Sequence, residues 1–170
     1  SYVTFRALDV IFCVHDGLIK ELSLLKYAAF LLFVPALSSG PIDRYRRFAK
    51  DWDKTRTREE FLDDLDVGVQ RIARGFLYKF IFAVLIKTYL LDPVASGRSF
   101  PALLGYMYAY TVFLFFDFAG YSAFAIGLAR ILGVHLTENF DRPFLARNIR
   151  DFWNRWHISL SFWFRDHVYM

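Results

Sequence analysis

The chain has 170 residues, of which 56% are hydrophobic and 20% aromatic, and its formal net charge is +4. Soluble domains carry about 45–50% apolar residues, so this composition argues against a wholly water-soluble globule, while 22% charged residues exclude a simple stack of apolar spans. The single cysteine, Cys13, excludes an internal disulfide and a cysteine-built metal site, and it reads as a small buried hydrophobe.

The chain opens on Ser1 without an initiator methionine or a signal peptide and stops at Met170. It is expected to be an internal part of a longer protein. Residues 2–14 are apolar but interrupted by Arg6 and Asp9. A second apolar stretch, Ala28–Ser39, is short for a membrane span of about 20 residues and ends at Ser38-Ser39-Gly40-Pro41. It predicts a re-entrant or tilted helix broken at Pro35 or at Gly40-Pro41.

A basic cluster follows, with Arg44, Arg46, Arg47, Lys50, Lys54, Arg56 and Arg58. Next to apolar segments such a cluster marks the cytoplasmic side; a nucleic-acid surface would need soluble flanks, so no nucleic-acid partner is expected. Residues 58–74 read as an amphipathic helix opened by a capping box, Thr57 with Glu60. Phe61, Leu62, Leu65, Val69, Ile72 and Phe76 share one sector, which predicts a helix lying on the membrane surface or on the protein's own core.

Phe76–Leu91 is a span of about 24 Å at 1.5 Å per residue, with Lys79 and Lys87 near its ends, where long side chains reach the interface. Asp92–Pro101 is a short loop with one basic residue, Arg98, as the outer side requires. Ala102–Gly133 returns through the membrane, interrupted by Asp117 and Gly120, and Ala119, Ala123 and Gly127 form a small-residue ridge for close helix approach. Arg130, Arg142, Arg147 and Arg150 bring the chain back to the basic side. The fold class is therefore all-α, a polytopic helical membrane protein with re-entrant and interfacial helices, and residues 1–170 read as part of one membrane-embedded domain.

The chemistry concentrates in 151–166. As one helix this segment places Trp153, Trp156, His157, Leu160 and Phe164 on an aromatic face, with Asn154 and Ser161 spaced to orient the His157 ring. Asp151, Arg155, Ser159 and Asp166 fall on the opposite side, with Asp151 and Arg155 spaced for an ion pair. Near neutrality an imidazole suits proton transfer from a hydroxyl; the alternative is a structural histidine bonded to Ser161 or to a backbone carbonyl. Asp117 must pair, protonate or line a water-filled cavity, with an arginine of another helix as the expected partner. His15, His135 and His167 carry no recognisable constellation, and no zinc-protease, nucleophile-elbow, phosphate-loop or dinucleotide motif is present.

Trp153-Asn154-Arg155-Trp156-His157-Ile158-Ser159-Leu160-Ser161, with Trp163-Phe164-Arg165-Asp166, resembles the hallmark segment of the bacterial membrane-bound O-acyltransferase family. Ser39-Gly40-Pro41-Ile42-Asp43-Arg44-Tyr45-Arg46-Arg47-Phe48 and Phe116-Asp117-Phe118-Ala119-Gly120-Tyr121-Ser122 resemble two more of its blocks, in order. The opening Ser1-Tyr2-Val3-Thr4-Phe5-Arg6 fits as well. Ile42-Asp43-Arg44, and Asn154 with Phe162-Trp163-Phe164, resemble the D-alanyl-transfer branch more than the alginate O-acetylation branch.

The resemblance implies a multi-pass enzyme of the bacterial plasma membrane. It would take D-alanine from a phosphopantetheine thioester on a D-alanyl carrier protein and pass it towards (lipo)teichoic acid or an intermediate acceptor. No cofactor is bound on this reading, since the carrier supplies the phosphopantetheine; membrane lipids are the remaining partner. His157 matches the first of two family histidines, with Asn154, Trp153, Trp156, Ser161 and Asp117 in support. The second histidine would follow Met170, so this segment is not expected to catalyse alone. The rival readings are a polysaccharide O-acetyltransferase of the alginate type and a proton-coupled transporter with Asp117, Arg155 and His157 as relay.

Overall fold

Helix α1 (Tyr2–His15) carries two charges into the interior of the computed structural model, which describes residues 2–169; Ser1, the start of the first resembling block, and Met170 lie outside the described residues. Arg6 and Asp9 are both buried. The Arg6 guanidinium lies over the Phe30 ring at 4.4 Å and donates to the Phe30 carbonyl. That carbonyl belongs to the last turn of α2 (Leu24–Leu31), where unpaired carbonyls and the helix dipole favour a cation. The apolar stretch expected as a helix over 28–39 is therefore helical earlier, and it stops before Pro35, which sits in the first turn of a 3₁₀ segment, Val34–Ala36. A proline disfavours helix in the residue before it and lacks the N–H that helix continuation needs.

Helix α3 (Tyr45–Trp52) buries Tyr45 and Phe48 in a core with Val10, Cys13, Phe30 and Ala129. Cys13 takes the small-hydrophobe role expected of it.

Helix α4 (Arg58–Phe76) starts at the expected capping box: Thr57 Oγ1 accepts from the Glu60 N–H, and the Glu60 carboxylate accepts from the Thr57 N–H. It does not stop at Phe76. Helical backbone continues through π-helical turns at Leu77–Phe82, a short α5 (Ala83–Ile86), and π-helical turns at Lys87–Leu91. The amphipathic helix and the following span are thus one rod.

Helix α6 (Phe100–Ile131) is capped by Ser99, whose hydroxyl accepts from the Ala102 N–H. Among the described residues it is the one helix long and apolar enough to cross a membrane by length and composition. It packs antiparallel on α4 through two glycine pairs. A Cβ on Gly68 would stand 2.9 Å from the Gly127 carbonyl oxygen, and one on Gly75 would stand 2.8 Å from that of Gly120. Gly127, the end of the small-residue ridge, makes this contact, but its partner along α6 is Gly120. Ala119 and Ala123 instead line a neighbouring cleft.

Of the two placements expected for α4, this glycine seam goes against the one on the protein's own core. Asp64, Gly68 and Gly75 are buried, while Phe61, Leu62, Val69 and Phe76 of the apolar sector are 41–54% exposed in this chain. Between membrane helices, close approach of small residues replaces the hydrophobic drive that puts large side chains inward in water.

Residues 151–166 are two helices, α7 (Ile149–Arg155) and α8 (Ile158–His167). The single helix expected there is broken at Trp156-His157 by contacts from the segment after α6. Phe140 and Trp156 form an antiparallel bridge, the Asp141 N–H donates to the Arg155 carbonyl at 3.0 Å, and the Ile158 N–H donates to the Asn139 carbonyl at 3.0 Å. Tertiary hydrogen bonds thus replace the helical ones across two residues.

Candidate active site

His157 stands at this break in the left-handed region, φ 47° and ψ 52°, as the residue preceding α8. A non-glycine residue is held there only when its surroundings impose it, and here the imposing group is Asn139. This asparagine is fully buried. Its Oδ1 accepts from the Ser159 hydroxyl at 2.6 Å and its Nδ2 donates to Ser122 Oγ on α6 at 3.1 Å. Ser159 Oγ also accepts from the Ile42 N–H at 3.0 Å. The three sequence blocks converge on this knot, through Ile42, Ser122 and Ser159.

The His157 ring packs edge-on against Phe118 at 4.8 Å between centroids and lies 6.2 Å from Tyr2. Its Nε2 is buried and has no hydrogen-bond partner among the described residues. Buried polar atoms are almost always paired in a folded protein, so this nitrogen is available to a ligand. Phe118 also packs on Phe140, 5.1 Å away. Phe140 lines a cleft of about 420 Å³ beside Arg71, Arg74 and Arg142. Phe118 lines another, of about 240 Å³, with Asp117, Lys79 and Tyr2. His157 itself lines neither cleft and sits at the aromatic partition between them.

The other expected site residues divide. Trp156 belongs to the partition: it stacks on Phe152 at 5.5 Å and meets Phe140 edge-on at 5.1 Å. Trp153 is 53% exposed in this chain and Asn154 is exposed, so the break carries both away from the His157 ring. Ser161 donates to the Trp156 carbonyl at 3.4 Å rather than to the imidazole. The backbone turn that displaces these groups also removes the helical spacing on which their expected contact relied. Asp117 has its partner on a neighbouring helix, and that partner is Lys79, not an arginine. Lys79 therefore reaches across to α6 from the first π-helical stretch instead of towards an interface. Asp151 and Arg155 form the expected pair at 2.7 Å, and this hydrogen bond holds the Asp151 carboxyl below its ordinary value.

Several groups escaped the sequence reading. Ser159, expected on the side opposite the His157 face, is buried in the Asn139 knot. His167 lies 3.0 Å from Asp9 and 2.7 Å from Arg44, which also binds Asp166 at 2.8 Å. His135 bridges Asp51 and Asp64 at 3.2 and 3.4 Å. Arg47 pairs with buried Asp43 and reaches Thr137; burial pushes the Asp43 carboxyl up, and Arg47 draws it back. Three arginines of the basic cluster, Arg44, Arg47 and Arg56, are thus internal ties. Asp9, an acid that interrupts an apolar stretch, was the available signal in the sequence, since a carboxylate among apolar neighbours requires a partner.

Antiparallel α4 and α6 join through a glycine seam, and His157 packs against Phe118 of α6 with its Nε2 buried. The profile of the membrane-bound O-acyltransferase family matches residues 13–170, and the chain belongs to that family. Over its whole length it is 52% identical to a teichoic acid D-alanyltransferase of Bacillus subtilis, of which it covers 44%, and 47% identical to one of Streptococcus thermophilus, of which it covers 42%. A probable alginate O-acetylase of Pseudomonas syringae is 37% identical over the whole chain, which spans 33% of that protein. The chain thus corresponds to less than half the length of these relatives.

Proposed function

We propose that the full-length protein is a multi-pass D-alanyltransferase of the bacterial plasma membrane, with residues 1–170 as part of its membrane-embedded domain. It takes D-alanine from a thioester on a carrier protein and passes it towards (lipo)teichoic acid. The higher identity to D-alanyltransferases than to alginate O-acetylases favours this donor. The observation that carries the site is His157, with a buried, unpartnered Nε2 on a turn fixed by Asn139.

In the reaction an acceptor hydroxyl oxygen attacks the thioester carbonyl carbon, the C–S bond breaks, and the hydroxyl proton leaves with the sulfur. A neutral imidazole at the partition can accept that proton from the hydroxyl and return it to the thiolate. A second histidine, from outside this chain, completes the pair on this reading, and Trp156, Phe140 and Phe118 exclude water from the reacting atoms. The carrier docks from the cytoplasmic side, since its phosphopantetheine arm is charged and tethered to a soluble domain. Ser161 and Asp117 bind the Trp156 carbonyl and Lys79 rather than the imidazole, and Trp153 and Asn154 stand exposed in this chain.

The test uses full-length protein in membranes, supplied with carrier loaded with labelled D-alanine, while cell-wall polymer labelling is followed. His157→Ala is expected to lower transfer by at least about 10²-fold, the scale of general acid–base catalysis, with membrane expression retained. Normal transfer by that variant would remove His157 from the chemistry. Use of an acetyl donor in place of the loaded carrier would assign the protein to polysaccharide O-acetylation.

A further inference from the structure

Among the described residues no hydrogen bond joins Asn139 to the His157 ring, yet Asn139 is bonded to the turn on which that ring stands. Its carbonyl accepts from the Ile158 N–H at 3.0 Å, which pins the backbone just after the imidazole. Its side chain pins the next residue, with Oδ1 accepting from the Ser159 hydroxyl at 2.6 Å. At the other end of the amide, Nδ2 donates to Ser122 Oγ at 3.1 Å. Ser122 lies one turn along α6 from Phe118, whose ring packs on the imidazole at 4.8 Å. Asn139 thus ties the turn that carries His157 to the helix that walls it.

The direction of these bonds calls for an amide at 139. The Ile42 N–H can only donate, and it donates to Ser159 Oγ at 3.0 Å. The Ser159 hydrogen is then directed at an acceptor, Asn139 Oδ1, while the other end of the amide donates to Ser122. A carboxylate would lack the donor, and an aliphatic side chain would lack both groups. Ser122, Asn139 and Ser159 are all buried, so a lost partner is not replaced by bulk water. His157 stays in the left-handed region, φ 47°, only under such constraint. Misplacing a catalytic group by about 1 Å costs about 10²-fold in rate.

We propose that Asn139 is a positioning residue for acyl transfer: through Ile158, Ser159 and Ser122 it aims His157 Nε2 at the reacting hydroxyl, without touching substrate itself. The assignment rests on His157 acting in the reaction proposed above. The rival is direct contact with substrate, since Asn139 also borders the cleft of about 420 Å³. A group that touches substrate acts whether or not the imidazole is present. A positioning group acts only while there is an imidazole to position, so its effect disappears with His157.

The experiment measures kcat and KM for carrier loaded with labelled D-alanine, using full-length protein in membranes and counting only folded protein. Asn139→Leu keeps much of the side-chain volume and removes both side-chain bonds; it is expected to lower kcat about 10²-fold with KM within about twofold of the parent. Ser159→Ala, a smaller change that keeps the Asn139–Ile158 bond, should lower kcat about tenfold. In a His157→Ala background, neither substitution should lower the residual transfer by more than about twofold. Parental kcat in Asn139→Leu would overturn the assignment. A raised KM with kcat kept would do so too, by marking a substrate contact. The same proportional loss with and without His157 would reduce Asn139 to general support of the fold. These three outcomes leave the proposed reaction standing, whereas normal transfer by His157→Ala alone would overturn that reaction and the role of Asn139 with it.

Discussion

A histidine at φ 47° gives up conformational freedom that glycine would keep. For an L-residue the left-handed region costs roughly 1–2 kcal/mol, and at His157 the Asn139 knot offsets it: the Asn139 carbonyl holds the Ile158 N–H, and its side chain holds Ser159. Glycine at 157 should therefore fit the turn better than alanine. His157→Gly is expected to be more stable than His157→Ala by about 1 kcal/mol, measured by thermal unfolding of the full-length protein in detergent, while both lose transfer. Equal stability would mean that the turn relaxes when the imidazole goes, and that His157 rather than Asn139 shapes it. The candidate residue was visible in the sequence, because an imidazole among tryptophans is conspicuous. Its conformation was not. No glycine or proline marks the break, and the groups that cause it lie near Asn139, well back along the chain.

At the scale of elements, the contact between α4 and α6 is made by absent side chains. Gly68 and Gly75 are about two turns apart, as are Gly120 and Gly127, so the pairs Gly68–Gly127 and Gly75–Gly120 lie in one antiparallel register. The Lys79–Asp117 pair continues it one turn further. A side chain at Gly75 meets the Gly120 backbone, which cannot yield without moving a helix. Gly75→Val should destabilise the protein by about 1–3 kcal/mol through overpacking. Gly105→Val is the control, since a Cβ there finds only Val94, at 3.7 Å. If the two variants melt alike in detergent, the glycine seam is not what holds the helices together. The capping box and helix periodicity of α4 were readable because they depend on neighbours within one turn. Which face turned inward was not, since hydrophobic periodicity assumes water outside.

For the molecule as a whole, the antiparallel rods place residues 92–99 at one end and the basic segments at the other. At that second end Arg56 and Arg130 bind Asp64, His135 joins Asp51 to Asp64, and Arg71 binds Glu138. The Lys/Arg bias predicts that this is the cytoplasmic end. A cysteine introduced at Ser96 should react with a membrane-impermeant reagent in intact cells, whereas one at Arg58 should react only after permeabilisation. Labelling at Ser96 only in permeabilised cells would invert the topology.

The sequence by itself determined the helical class, the family, the capping box, the Asp151–Arg155 pair and His157 as the candidate. Each rests on composition, on spacing within a helical turn, or on a contiguous motif, which a linear chain displays directly. Tertiary structure alone decided the break at Trp156-His157, the burial of Arg6, Asp9 and Ser159, the lysine partner of Asp117 and the arginine-lined cleft. These depend on backbone and side-chain hydrogen bonds between residues far apart in sequence, such as Asn139 with Ile158 and Ser122. A buried polar group must find a partner wherever the fold supplies one, and here the partners came from the other end of a helix or from another segment altogether.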